Sequence, residues 1–192
     1  MITLDDLVAN GTMSREIADL LRRTVAERRS FLVFARPRLA GKTTTMRAML
    51  AVRGAGVPVR TVGEDGDDVE ALGREARDGY LVVPEITKYP VAPGYVWGAP
   101  VRAAFAATDG GCALAAVLHA DDPRTALAIV ARNGVPTERI ARLAVLVHLR
   151  SLGPDPMEPT GRRVAGVHAV NADTTTRPLF LWDEARDRFD AV

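Results

Sequence analysis

An α/β fold, with a mostly parallel sheet covered by helices on both faces, is predicted by three observations. Short, nearly unbroken apolar runs recur at 31–34, 80–83, 112–118 and 145–149, and segments of helical spacing separate them. Strands apolar on both sides belong to parallel sheets buried between helix layers. The third observation is that Lys42, Glu85 and His119 each follow an apolar run. Ligands of such sheets bind beyond the carboxyl ends of the strands, so separate strands deliver polar chemistry to one edge.

Composition admits this fold and excludes several functions. A chain of 192 residues, 47% hydrophobic, can bury one full core. Lys+Arg 25 against Asp+Glu 24 leaves a net charge of +1, which gives no global reason to expect nucleic acid or an anionic membrane as the main partner. The single cysteine, Cys112, cannot form an intrachain disulfide or a cysteine-based zinc site, and its apolar surroundings read as a buried structural thiol. No apolar run approaches the roughly 18 residues of a membrane span. Asp5 and Asp6 stand near the start in place of a basic, then apolar, leader. The expectation is a soluble, untargeted, cytoplasmic protein with no nucleic-acid partner and no direct membrane span.

Taken in order, residues 3–29 read as two short helices, with Thr3 or Asp5 capping the first and Ser14 leading into Ile17, Leu20, Leu21 and Val25. The strand at 31–34 passes through a loop into a helix that Gly54 and Gly56 end. Residues 57–62 form a second strand running into the acidic turn Glu64, Asp65, Gly66, Asp67, Asp68, and a helix follows over 69–76. The strand at 80–83 is closed by Pro84 and followed by Glu85. Residues 86–100, rich in Pro, Gly and aromatics, read as a long ordered loop before a helix at 101–107. The strand 112–118 ends at His119, Asp122 and Pro123 start a helix to 131, and Thr137 caps another past Ile140 and Leu143. A fifth strand at 145–149 and a Pro-rich turn at 153–159 precede an antiparallel pair, 164–170 with 178–182. The chain thus reads as one domain: a helical lead-in (1–29), a nucleotide-binding core (30–150) and a late hairpin (151–192).

The chemistry centres on Gly41, Lys42 and Thr43 at the strand-to-helix junction. This is the distal half of a phosphate-binding P-loop, in which loop amides and a helix N-terminus cradle a polyphosphate, Lys neutralises it and the Thr hydroxyl ligates Mg²⁺. The proximal half departs from it, since Arg36 stands where the motif asks for Gly and Leu39 where many such loops have another. A non-Gly residue forced to positive φ costs about 1–2 kcal/mol. The plain alternative is an ordinary helix start with a surface lysine.

Glu85 stands where P-loop ATPases carry the carboxylate that orients the attacking water, the alternative being a solvated strand end. With no Asp just before it, Glu64 or Asp65 is the next candidate for a metal, against the reading of a solvated acidic turn. His119 could contact a γ-phosphate or serve as a hydrogen-bonded structural residue. His148 and His168 lie inside apolar runs and read as structural, and the three histidines lack metal-ligand spacing. No acyl-transfer constellation stands out. Arg36 and Arg38 could add charge to the loop or fill it. For Gly161, Arg162 and Arg163, solvated charge competes with a subunit contact.

Together these segments resemble the type II/type IV secretion ATPase family, especially its tight-adherence pilus branch. Thr3 to Leu7 through Leu20 and Leu21 is similar to the segment before that family's ATP site; Pro37, Gly41, Lys42, Thr43 and Thr44 match its Walker A loop. Glu64 and Asp65 resemble the Asp box, Leu81 to Ile86 the Walker B run, Gly111 with Leu118, His119 and Ala120 the His box, and Gly161 to Val164 the late strands. The departures are Arg36, Leu39, Pro84 and Thr87, Cys112 for a histidine, Val117 for a threonine, a shortened stretch between the Asp-box-like and Walker-B-like segments, and the lack of the N-terminal domain of full-length motors. The resemblance implies a RecA-like P-loop NTPase that binds ATP and Mg²⁺ and hydrolyses ATP, with Glu85 and His119 catalytic, Pro37, Gly41, Lys42, Thr43 and Thr44 on the nucleotide, and Thr43 and Glu64 on the metal. It also implies a homo-oligomer, a hexameric ring in the family, and secretion or pilus machinery as partners. The altered loop motivates a second reading, a degenerate P-loop protein with little or no hydrolysis that acts as an interaction or regulatory subunit. A small-molecule kinase is a third, with no Arg-rich lid to support it.

Overall fold

The computed structural model describes residues 1–36, 39–63, 68–89, 92–155 and 158–192. Two helices lead in, α1 (Leu4–Ala9) and α2 (Arg15–Ala26), capped by the side chains of Thr3 and Ser14. The first strand, β1 (Ser30–Phe34), is buried at every residue and feeds α3 (Lys42–Ala51). There follow β2 (Val59–Thr61), α4 (Val69–Glu75), β3 (Tyr80–Ile86), β4 (Tyr95–Val96), α5 (Ala99–Ala107), β5 (Ala113–Leu118), α6 (Pro123–Arg132) and α7 (Thr137–Ile140). The chain closes with β6 (Leu143–Leu152), β7 (Gly161–Val170), β8 (Thr176–Asp183) and β9 (Arg188–Ala191).

The described strands make one sheet in the order β2-β3-β5-β1-β6-β7-β8-β9, with β4 on β3. Pairings from β2 to β6 are parallel, and those from β6 to β9 are antiparallel. Side chains alternate across a strand, and in β1 Phe31 and Val33 enter one apolar cluster with α1, α2 and α3, while Leu32 and Phe34 enter another with α4, α5 and α6. Both faces of the parallel part are therefore covered, which is why its strands read as continuous apolar runs.

Several expectations need correction. β3 does not close at Pro84 but continues to Ile86, so Glu85 lies within the strand. The register against β5 shifts between Val83 and Ile86, and a proline without an N–H is tolerated where the ladder is already interrupted. On the other side Glu85 pairs with Tyr95 of β4, a short strand inside the expected long loop, and its amide donates to the Gly94 carbonyl at 3.3 Å. Gly94 sits at φ 82, and a Cβ there would lie 2.9 Å from the Val62 carbonyl oxygen and 2.7 Å from Pro84 Cγ, so only glycine permits this close approach. Residue 137 is not a cap: α7 is a single turn that starts at Thr137 with Pro136 as its N-cap, and Leu143 already opens β6. The late hairpin belongs to a larger antiparallel unit, because β6 runs on to Leu152 and β9 adds an outer strand.

The structural readings of Cys112 and two histidines agree with their surroundings. Cys112 is buried, its Sγ lies 3.3 Å from the Ala107 carbonyl, and burial pushes its thiol pKa up. His148 stacks on Phe34 with ring centroids 4.7 Å apart. Burial, reinforced by nearby His168, lowers its pKa to about 4, and burial lowers that of His168 too. A histidine whose folded pKa is depressed stays neutral while the unfolded chain takes up a proton, so stability falls with pH from about 6.5 down to the folded value. We expect the melting temperature to drop as pH is lowered from 7 to 4.5. His148→Gln should flatten that slope over the same window, as thermal melts at stepped pH would measure.

Candidate functional site

Three strands bring the site together. β5 lies between β1 and β3 in the sheet, so the residue after β5 stands between what β1 and β3 deliver. From β1 comes Lys42, first residue of α3; from β3 comes Glu85; from the end of β5 comes His119. Lys42 Nζ is 3.7 Å from Glu85 Oε2 and 3.1 Å from His119 Nε2. His119 Nε2 is 3.7 Å from the same carboxylate oxygen. The Lys42 and Glu85 side chains are only 7% and 6% exposed, so this is a buried ion pair, whereas the imidazole is 37% exposed at its rim.

The histidine's tautomer follows from its partners. His119 Nδ1 is 2.7 Å from the Arg36 carbonyl oxygen, which only accepts, so Nδ1 carries the proton and donates. Lys42 Nζ lies 3.1 Å from Nε2 and 3.4 Å from Nδ1, beside the ring and between its two nitrogens. The imidazole thereby ties the end of β5 to the loop after β1. Arg36 turns its guanidinium to Asp121 at 3.2 Å and lines the same cleft as Lys42. Arg38, Pro37, Glu64 and Asp65, all singled out in the sequence, lie outside the described residues.

Two described residues of the loop are in left-handed backbone. Leu39 has φ 61 and Gly41 has φ 89 as the N-cap of α3. The strain anticipated for a substituted glycine therefore falls on Leu39, whose side chain is 54% exposed; Arg36 is not among the positive-φ residues. The Leu39 carbonyl accepts from Arg162 Nε at 2.7 Å. A Cβ on Gly41 would come within 3.0 Å of Arg162 Cδ. Arg162 is thus part of the site, a contact within the chain that the sequence did not suggest, and its neighbour Arg163 pairs with Asp187 at 2.7 Å.

Around this group opens a cleft of about 1140 Å³. Lys42, Thr43, Thr44, Glu85 and His119 line it, joined by residues the sequence did not single out: Asn10 and Thr12 after α1, Trp97 before α5, and Ile129 and Arg132 of α6. No local pattern announces those residues, because the tertiary fold alone gathers them. Thr43 is exposed and Thr44 half-buried at the start of α3. Among the described residues no group of three His, Cys, Asp or Glu could hold a metal by itself. Among them, too, no helix is long and apolar enough to cross a membrane.

No protein-family profile and no curated protein sequence matches the chain. Solved structures do. The VirB11 ATPase from the Brucella suis type IV secretion system superposes with a TM-score of 0.61 at 16% identity, over 86% of this chain and 54% of that one. The chain has the fold of that ATPase. The Legionella pneumophila ATPase DotB matches with a TM-score of 0.51 at 12% identity, over 88% of this chain and 50% of that one. The chain therefore spans about half the length of each of these two ATPases, and at such identities the likeness is one of fold.

Relief of the left-handed strain at Leu39 is measurable. Leu39→Gly removes about 1–2 kcal/mol of strain and gives back about 0.5–1 kcal/mol through the freer unfolded chain. We expect a net gain of about 0.5–1 kcal/mol in denaturant unfolding. Gly41→Ala should destabilise, because it combines positive φ with the contact to Arg162.

Proposed function

We propose that the chain is a RecA-like P-loop domain that binds and hydrolyses ATP as part of a secretion or pilus-assembly motor. The observation that carries this reading is the buried Lys42 ammonium at the start of α3, within 3.7 Å of the Glu85 carboxylate and opening on a cleft of nucleotide size. A helix start preceded by left-handed loop backbone presents amides to an anion, and the lysine supplies the compact charge. The Brucella suis ATPase was solved in complex with sulphate, a tetrahedral oxyanion like a phosphoryl group, which supports the same reading here.

In this assignment Gly41, Lys42, Thr43 and Thr44, with Pro37 before them, hold the phosphates. The Thr43 hydroxyl with phosphate oxygens would hold Mg²⁺, which needs few protein ligands, and Glu64 is a further candidate ligand. Bound Mg²⁺ would neutralise charge developing on the phosphates. Glu85 orients the attacking water through its buried carboxylate. His119, anchored by its Nδ1 to the Arg36 carbonyl and close to Lys42, would contact the γ-phosphate.

Titration of ATP·Mg²⁺ into the protein should show micromolar binding that Lys42→Ala loses. Glu85→Gln should keep binding and lose at least 100-fold in turnover, because the water-orienting charge is lost while bound phosphate supplies Lys42 with a countercharge. Absence of binding by the wild type at millimolar nucleotide would overturn the reading. The Leu39 strain favours the second reading, a degenerate site serving as an interaction or regulatory subunit, and robust turnover that depends on Lys42 would exclude it. On the resemblance to ring-forming motors we also propose nucleotide-dependent self-association, a homo-oligomer that engages secretion or pilus proteins. Light scattering with ATP should then show species larger than the monomer, and a monomer with and without nucleotide counts against it.

A further inference from the structure

We propose that Arg162 is the positioning residue that holds the loop between β1 and α3 in a phosphate-accepting shape, compensating for the glycine that Leu39 replaces. The proposal rests on the nucleotide-binding reading of the same cleft. Leu39 at φ 61 lacks the freedom of glycine, so its conformation persists only where surroundings over-determine it. Two contacts from Arg162 do so. Its Nε donates to the Leu39 carbonyl at 2.7 Å, which fixes the orientation of the peptide leaving the strained residue. Its Cδ lies 3.0 Å from the Cβ position of Gly41, so the side chain is laid across the second left-handed residue as well.

Arg162 is itself braced. It stands near the start of β7, where Arg163 Nη1 donates to the Arg162 carbonyl at 3.0 Å. The guanidinium of Arg163 meets both carboxylate oxygens of Asp187 at 2.7 Å, and Trp182 Nε1 donates to that carboxylate at 2.8 Å. Bidentate arginine–carboxylate pairs fix direction as well as distance. On the other side the Val164 amide donates to the Thr12 carbonyl at 2.7 Å, which secures the strand to the segment after α1. The antiparallel unit thereby acts as a strut: Asp187 holds Arg163, Arg163 holds the backbone of Arg162, and Arg162 holds the loop.

The test is a mutant cycle read by calorimetric titration of ADP·Mg²⁺ and by amide hydrogen exchange without nucleotide. Arg162→Ala should weaken ADP at least tenfold and raise exchange at residues 39–43 while β1 and β5 keep their protection. In a Leu39→Gly background, where the strained residue is gone, the same change should cost threefold or less. If wild type binds ADP and Arg162→Ala binds within twofold of it, the proposal falls and the nucleotide reading stands. Equal losses in both backgrounds would make Arg162 a ligand and not a brace, and would overturn it too. Unchanged exchange at 39–43 overturns the brace whatever the affinities. No ADP binding by wild type overturns the nucleotide reading and the phosphate role of Arg162 with it.

Discussion

Lys42 carries its ammonium into a place where water scarcely reaches, and the sheet is arranged so that this charge is met. Moving an ion out of water costs several kcal/mol, which only close and well-placed partners offset. Glu85 and His119 are those partners, and they come from different strands. Their placement needs β5 between β1 and β3, with Ile86 in register with Leu118, so that a carboxylate and an imidazole end at the same height. A one-residue slip of β3 would turn Glu85 to the opposite face of the sheet and leave the ammonium buried without its countercharge. The ion group and the strand order are thus conditions of each other.

The core of this arrangement was legible in the sequence because buried parallel strands announce themselves as apolar runs, and a polar residue that ends one stands out. Glu85 and His119 were found in this way, Lys42 by its place in Gly41-Lys42-Thr43, and Thr3, Ser14 and Asp122 as helix starts; the side chains of these three accept from amides of the following turn. What stayed illegible depends on distant pieces meeting. Pro84 looks like the end of a strand, and only the bulge beside Val83 and the tight approach of Gly94 let β3 continue through it. β9 offers four residues with one large apolar side chain, too little for a periodic signal. Arg162 meets the loop from 123 residues away, and a run of two arginines reads locally as surface charge.

β6 explains how the late strands come to influence the site. Its first residues pair in parallel with β1 from Leu143 to His148, while the same strand pairs antiparallel with β7 from Val145 to Leu152. The strand that carries the loop and the strand that carries Arg162 are therefore both hydrogen-bonded to one element, with little freedom to move apart. Val164 and Val167 of β7, fully buried, pack into the same cluster as β1 and α3. The antiparallel unit is part of the core that supports α3, and the Arg162 contact is made from a rigid base.

Under the nucleotide reading, the Lys42 group also constrains the chemistry. A phosphate that reaches Lys42 brings negative charge toward Glu85, so two anions must share one ammonium in a region of low dielectric. Their repulsion is relieved when a proton donor lies between them, and water is the smallest group that can donate to both a carboxylate and a phosphoryl oxygen. Under that reading a water beside Glu85 would separate the two anions, and the carboxylate would accept its hydrogen bond and orient it.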